Sequence, residues 1–288
     1  EAADGIERIG SLCSDANGQM YVALTYTGQL LINNDQYDSA GSTDVLIASF
    51  SEFGWTWAIS GGGIGEDRVW DCDGKLTNGI HAVGEFYGNA SFDSLFTVQS
   101  SGIDFFVSEI SPTGGWAGLV HGGGVGLDRA TSVLHSEQGT TYVAGVTSAG
   151  MTLGSDILSD LDGINDDTHN DIFLAELLAN NSWEWAIQAG GDGNDEPVDL
   201  SLALDGSPLV SLMYSGSLEA GSVTTSSWGG FDSGVWLYQT DRDNDGLLDG
   251  EDNCPRQANA DQANHDSDLQ GDVCDEDDDN DNLNDEFD

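Results

Sequence analysis

The chain of 288 residues predicts an all-β fold built from repeated four-stranded sheets, followed by an irregular acidic segment. Three observations predict it. Residues 6–240 repeat themselves at a spacing of about sixty to sixty-seven. Each repeat is a series of short apolar or aromatic runs bounded by Gly, Asn, Asp or Ser clusters, and no stretch sustains a helical period. The last 48 residues then change character and carry one aspartate-rich template three times in register.

The repeats, at about 6–60, 61–121, 122–188 and 189–240, share four anchors in the same chain order. An acidic residue opens the first strand in Glu7-Arg8, Asp67-Arg68, Asp128-Arg129 and Asp195-Glu196. The second strand reads Tyr21-Val22-Ala23-Leu24, Ile80-His81-Ala82-Val83-Gly84, Tyr142-Val143-Ala144-Gly145 and Leu209-Val210-Ser211-Leu212. The third reads Asp44-Val45-Leu46-Ile47, Asp104-Phe105-Phe106-Val107, Asp171-Ile172-Phe173-Leu174 and, less closely, Asp232 to Leu237. The fourth runs Trp57-Ala58-Ile59 into Gly61-Gly62, Trp116 to Val120 into Gly122-Gly123, and Trp185-Ala186-Ile187 into Gly190-Gly191. Four-stranded units at this period are the signature of propeller blades, whose stacking buries sheet faces that one unit alone leaves wet. Four repeats make a small propeller. The last lacks its Trp-Ala-Ile strand, so its edge needs cover from the N-terminal segment, the C-terminal segment or another copy.

In the acidic segment, Asp241, Asp243, Asp245, Asp249 and Asp252 occupy positions 1, 3, 5, 9 and 12 of a twelve-residue window. Asn264, Asp266, Asp268, Asp272 and Asp275 fill the same positions in a second, and Asp277, Asp279, Asp281, Asp285 and Asp288 in a third. Alternate carboxylates of a tight loop converge on one centre. The position 7 carbonyls of Leu247, Gln270 and Leu283 add an oxygen, which suits the six to eight oxygens that Ca2+ takes. A disordered acidic tail is the plainer reading of a charge run, but random acidity does not keep this phase.

This segment resembles thrombospondin type 3 repeats, whose marks stand here as Asp241 to Asp252 followed by Asn253-Cys254-Pro255, and as Asp272-Val273-Cys274-Asp275. The resemblance covers about a sixth of the chain. It implies a core of several calcium ions in place of apolar side chains and a disulfide between Cys254 and Cys274. Position 6 is Gly246 in the first loop but Leu269 and Asn282 in the others; leucine tolerates the required positive φ poorly, which weakens the middle loop. Residues 6–240 resemble, more loosely, bacterial and archaeal propeller repeats of the form D-x-A, G-N-x-Y-V-x-G, D-x-F-V-A-K, G-x-W-x-W-A, G-G. The usual Lys after the third strand is replaced by Glu109 and Glu176. These resemblances divide the chain into a propeller domain, 1–240, and a calcium-binding segment, 241–288.

Six basic residues face 52 acidic ones, for a formal net charge of −46, and 33 of the acidic residues lie before residue 241. Such a surface repels phosphate backbones and anionic membranes, so no nucleic-acid partner is expected. It suits seawater or another saline medium, where counterions screen self-repulsion. No apolar run approaches the ~18 residues of a membrane span, so no direct membrane insertion is expected. Calcium loops of this kind and an even set of four cysteines favour an oxidising exterior, and the absence of a leader at Glu1 reads as a signal peptide removed or not included. The sequons at Asn89 and Asn180 fit secretion but arise often by chance.

Other motifs read more plainly. The glycine runs at 61–65 and 122–126 recur at one repeat phase without the context of a nucleotide loop, and are turns. His81, His121, His135, His169 and His265 keep no metal spacing, and no nucleophile elbow exists, so no catalytic residue is assigned. Asp160, Asp162, Asn165, Asp166 and Asp167 in the third repeat form either a further calcium site or a solvated acidic loop. Trp57, Trp116, Trp183 and Trp185 read as packing between units rather than as sugar platforms. Cys13 and Cys72 stand at matching places in adjacent first strands, and a disulfide there is preferred to two buried thiols. The expected function is calcium-dependent adhesion or extracellular structure, with a protein or glycan partner or other copies of the chain. Its alternatives are a filament subunit and, with no supporting motif, a secreted glycan-active enzyme.

Overall fold

The structure is a computed structural model and describes residues 5–94, 96–136, 139–161, 169–241, 243, 245–249, 251–266, 268 and 270–280. Among these residues the chain forms 21 strands in antiparallel ladders and no helix, the all-β class that the apolar runs predict.

Each repeat builds one meander with a hairpin arm. In the first, β1 (Glu7–Ser14), β2 (Met20–Tyr26), β5 (Asp44–Ser51) and β6 (Gly54–Gly63) pair in that order, and β3 (Gln29–Ile32) and β4 (Asp35–Asp38) form the arm. In the second, β7 (Arg68–Gly74), β8 (Ile80–Phe92), β9 (Phe96–Ser111) and β10 (Gly115–Gly122) do the same, with the arm made by the extended ends of β8 and β9. The third has β11 (Asp128–His135), β12 (Thr141–Thr147), β15 (Asp171–Leu177) and β16 (Trp183–Gly190), with β13 (Met151–Leu153) and β14 (Asp156–Leu158) as the arm. The fourth has β17 (Asp195–Leu202), β18 (Pro208–Tyr214) and β21 (Asp232–Leu237), with the arm β19 (Ser217–Ala220) and β20 (Val223–Ser226).

Local chemistry repeats with the sheets. The turn between first and second strands closes on Gly18, Gly79, Gly139 and Gly206, each near φ +80°, a conformation that costs glycine little. The first strand is bulged at the same place in three copies: register shifts fall between Ile9 and Ser11, Val69 and Asp71, and Ala130 and Ser132. A bulge bends its strand and increases local twist.

Consecutive sheets pack face to face. Tyr21, Ala23, Val45 and Ile47 of the first repeat meet Ala82, Phe86, Phe106 and Ile110 of the second, and Phe92 of the second arm lies against Phe106 and Trp116 with ring centroids 4.8 and 5.0 Å apart. On the other face of the second sheet, Val83, Phe105 and Val107 pack against Val143, Phe173 and the arm residues Met151, Leu153 and Leu158 of the third repeat. Each fully buried Phe or Leu contributes roughly 1.5–3 kcal/mol. Trp57, Trp116 and Trp183 belong to these cores or pack against them, as their fixed phase implies.

First strands lie side by side. The expected Cys13–Cys72 disulfide joins β1 to β7, with Cα atoms 5.9 Å apart. Asp71 and Asp73 of β7 accept hydrogen bonds from the amides of Val133 and His135 in β11 at 3.0 and 2.7 Å. Ser132 of β11 in turn accepts one from the amide of Leu200 in β17 at 3.3 Å.

The fourth sheet has three strands, as the missing Trp-Ala-Ile run implies, and among the described residues β18 is the one strand paired with β21. Val235 and Leu237 of β21 are 66% and 43% exposed. Ile6 lies on the first repeat, its amide bonded to Thr27 Oγ1 at 3.0 Å.

The chain divides into two compact units, residues 1–200 with 210–235, and residues 201–209 with 236–288. In the second unit the described part of 241–280 buries only Cys254, Asn259 and Gly271. It is held by the expected Cys254–Cys274 disulfide and by Asn253, whose amide nitrogen donates to the carbonyls of Gln262 and Ala263 while its oxygen accepts from Asn259 at 2.6 Å.

Candidate metal centre

In the first loop, Asp241, Asp243 and Asp245 each place a carboxylate oxygen within 4.8 Å of the others. The backbone explains how. The amide of Asp245 donates to Asp243 Oδ1 at 3.1 Å, that of Gly246 to Asp241 Oδ2 at 3.1 Å, and that of Leu247 to Asp245 Oδ1 at 2.9 Å. Gly246 turns the chain at φ +98°, the conformation that position 6 needs. Asp241 Oδ1 and Asp243 Oδ2 are buried and, among the described residues, have no hydrogen-bond partner. Burial first, and then the negative charges of Asp245, Asp252 and Asp241, pushes the Asp243 carboxyl above the usual carboxylate range. Oxygen donors alone, converging and mutually repelling, fit a hard cation such as Ca2+.

The remaining first-loop residues are held otherwise. Asp252 Oδ1 accepts from the amide of Cys254 at 2.8 Å and from Gln262 at 2.6 Å, and the Asp249 carboxylate accepts the Thr240 hydroxyl. In the second loop it is Asp266, Asp268 and Asp275 that converge within 4.8 Å, positions 3, 5 and 12. Asn264 donates instead to the Asp268 carbonyl at 3.1 Å, Asp272 accepts from the His265 amide at 2.6 Å, and the Gln270 amide donates to Asp268 Oδ1. Leu269 lies outside the described residues. So do Asp281, Leu283, Asp285 and Asp288 of the third loop, of which Asp277 and Asp279 are described.

Elsewhere, Asp162, Asn165, Asp166 and Asp167 of the third-repeat insertion also lie outside the described residues, whereas Asp160 is described. Of the sequons, Asn180 is exposed and accepts bonds from Ser182, and Asn89 is exposed within β8.

Two arrangements escape a reading of sequence. Glu85, with 2% of its side chain exposed, pairs with both Arg68 at 3.0 Å and Arg129 at 2.5 Å, and Trp70 is flanked by the guanidinium groups of Arg8 and Arg129, 4.6 and 4.9 Å from its ring centre. The signal was there: three of six basic residues fall at one phase of the repeat. His81 and His135, 54 positions apart, bring their rings to 5.4 Å, and both lie within hydrogen-bond reach of the Thr141 hydroxyl. No spacing rule connects them.

Among the described residues no helix is long and apolar enough to cross a membrane. Neither a protein-family model nor a curated protein sequence matches this chain.

Proposed function

We propose that this is a secreted or cell-surface, calcium-dependent adhesion or structural protein. In this reading the four repeats are blades of a small propeller, and residues 241–288 form a stalk of thrombospondin type 3 character that calcium makes rigid. The observation that carries it is the convergence of Asp241, Asp243 and Asp245, two of whose oxygens are buried without a partner among the described residues, in a segment whose described residues bury almost no apolar side chain. Without an apolar core, the folding free energy of that segment comes largely from bound metal. Two disulfides and the acidic surface support an oxidising, saline exterior. Such a stalk presents the repeats to an extracellular protein or glycan.

The test is limited proteolysis and calcium titration of the full chain. In chelator, cleavage is expected within 241–288 while the repeats persist; in calcium the whole chain resists. Asp245→Ala removes a converging ligand and is expected to weaken calcium binding at least tenfold at its loop, since every ~1.4 kcal/mol is a factor of ten. Equal cleavage with and without calcium, together with unchanged affinity, overturns the reading.

One observation favours the alternative of a filament subunit. The β21 edge, which pairs with no strand beyond β18 among the described residues and has Val235 and Leu237 exposed, is the kind of edge that pairs with another chain.

A further inference from the structure

Three pairs of aspartates recur at one place in the repeat, 23 or 24 residues apart: Asp44 with Asp67, Asp104 with Asp128, and Asp171 with Asp195. The first member of each lies in the third strand of its repeat, and the second opens or just precedes the first strand of the next. All six are buried, with at most 7% of their surface exposed. Asp44, Asp67, Asp104, Asp128 and Asp195 take no part in the four ion pairs found among the described residues.

The carboxylates face a glycine. A Cβ on Gly62 would stand 2.7 Å from Asp44 Oδ1 and 3.0 Å from Asp67 Oδ2, so both acids meet over that α-carbon. The equivalent Gly123 and Gly190 bear the same relation to Asp104 Oδ1 and Asp171 Oδ1, at 2.6 and 1.9 Å. The next amide along donates into each pair: Gly63 to Asp67 at 2.6 Å, Gly124 to Asp128 at 2.7 Å, and Gly191 to Asp171 at 3.1 Å. Four oxygens remain buried with no hydrogen-bond partner among the described residues: Oδ1 of Asp44, Asp104 and Asp128, and Oδ2 of Asp195.

Two adjacent buried carboxylates cannot both stay ionised without compensation. Burial, reinforced by the facing Asp44, Asp128 and Asp171 respectively, pushes Asp67 and Asp104 up to about 7 and Asp195 up to about 8; burial pushes Asp128 up to about 6. A single proton per pair leaves one negative charge buried, whereas a divalent cation cancels both and occupies the free oxygens. The donors are oxygens without sulfur or imidazole, which selects a hard ion over zinc, and the irregular carboxylate and backbone surroundings suit Ca2+ better than the strict octahedron of Mg2+.

We propose that each of the pairs Asp44–Asp67, Asp104–Asp128 and Asp171–Asp195 binds one calcium ion at the junction between consecutive repeats, apart from the loops of the acidic segment. Calcium then stitches sheet to sheet within the repeats. The proposal does not rest on the function assigned to 241–288.

The test counts calcium ions on the folded full chain by native mass spectrometry and equilibrium dialysis. Asp67→Asn, Asp128→Asn and Asp195→Asn are each expected to remove one ion, and the triple variant three, while Asp245→Ala leaves these three in place. Asn keeps the shape and removes the repulsion. In chelator the Asn variants are therefore expected to melt at a higher temperature than the parent, and in calcium to gain less. Should the triple variant not fold, Asp44→Asn alone carries the same expectation of one ion fewer, since Asp67 keeps its Gly63 amide. Ion counts and calcium-induced melting shifts equal to the parent's in the folded single variants overturn the proposal.

Discussion

His81 sits in β8 with 6% of its surface exposed. Burial, and then the positive charges of Lys75 and His135, pushes its pKa down to about 3. His135 is lowered too, by burial and Lys75, with Glu109 acting the other way. A histidine held neutral in the fold and free to charge when unfolded contributes stability that is complete above pH 6.5 and lost as pH falls toward 3, at about 1.4 kcal/mol for every tenfold difference in proton affinity between the two states. The raised aspartates between repeats act in the opposite sense, so a variant must be compared with the parent. His81→Gln is expected to lose roughly 2–4 kcal/mol less than the parent between pH 6.5 and 4 in urea unfolding. The His81 imidazole resonance is expected to stay constant above pH 5; a midpoint near 6.5 contradicts the burial argument. At this scale legibility followed distance along the chain. The convergence of Asp241, Asp243 and Asp245 could be read because all three fall within one loop, and Cys254 with Cys274 because a motif names both. His81 with His135, and Asp44 with Asp67, could not, because the contact is made by neighbouring sheets or by the junction between them.

The strands themselves were legible because each apolar run is bounded by turn residues, and the shared phase placed Cys13 beside Cys72. The arms were not: β3–β4, β13–β14 and β19–β20 are three or four residues long, and Asp35–Asp38 and Val223–Ser226 carry too few apolar side chains to stand out from a loop. They show their purpose only in place, where Leu30, Ile32 and Tyr37 cover Val22, Leu24 and Leu46 of the first sheet. The Cys13–Cys72 bridge ties β1, whose Ile9 and Leu12 are 60% and 63% exposed, to the better buried β7. It closes a long segment, with a sequence separation of 59, so the chain-entropy account gives it about 4 kcal/mol. Cys13→Ser with Cys72→Ser is expected to lower unfolding free energy by roughly 2–4 kcal/mol with little change in the denaturant slope. A loss below ~0.5 kcal/mol would mean that β1 is held by its pairing with β2 alone.

At the scale of the molecule, a net charge of −46 opposes association, and one sheet edge invites it. Which term wins depends on screening: in dilute buffer the repulsion extends ~30 Å, whereas near 1 M salt it falls to about 3 Å, and calcium bound as proposed would remove part of the charge. Among the described residues β21 pairs with β18 alone, and its Val235 and Leu237 lie exposed. The missing fourth strand was legible as the absent Trp-Ala-Ile run; what covers that edge was not, since no run in the sequence singles out the N-terminal segment, the C-terminal segment or another copy. Self-association is therefore expected to rise with protein concentration in saline, calcium-containing buffer and to vanish at low salt in chelator. Val235→Lys places a solvated charge on the face beside the edge, a common way of protecting such strands, and is expected to hold the chain at single-chain mass in sedimentation velocity under the associating conditions. If the parent also stays monomeric at high concentration in calcium and salt, the edge does not pair between copies, and the filament alternative falls while the adhesion reading stands.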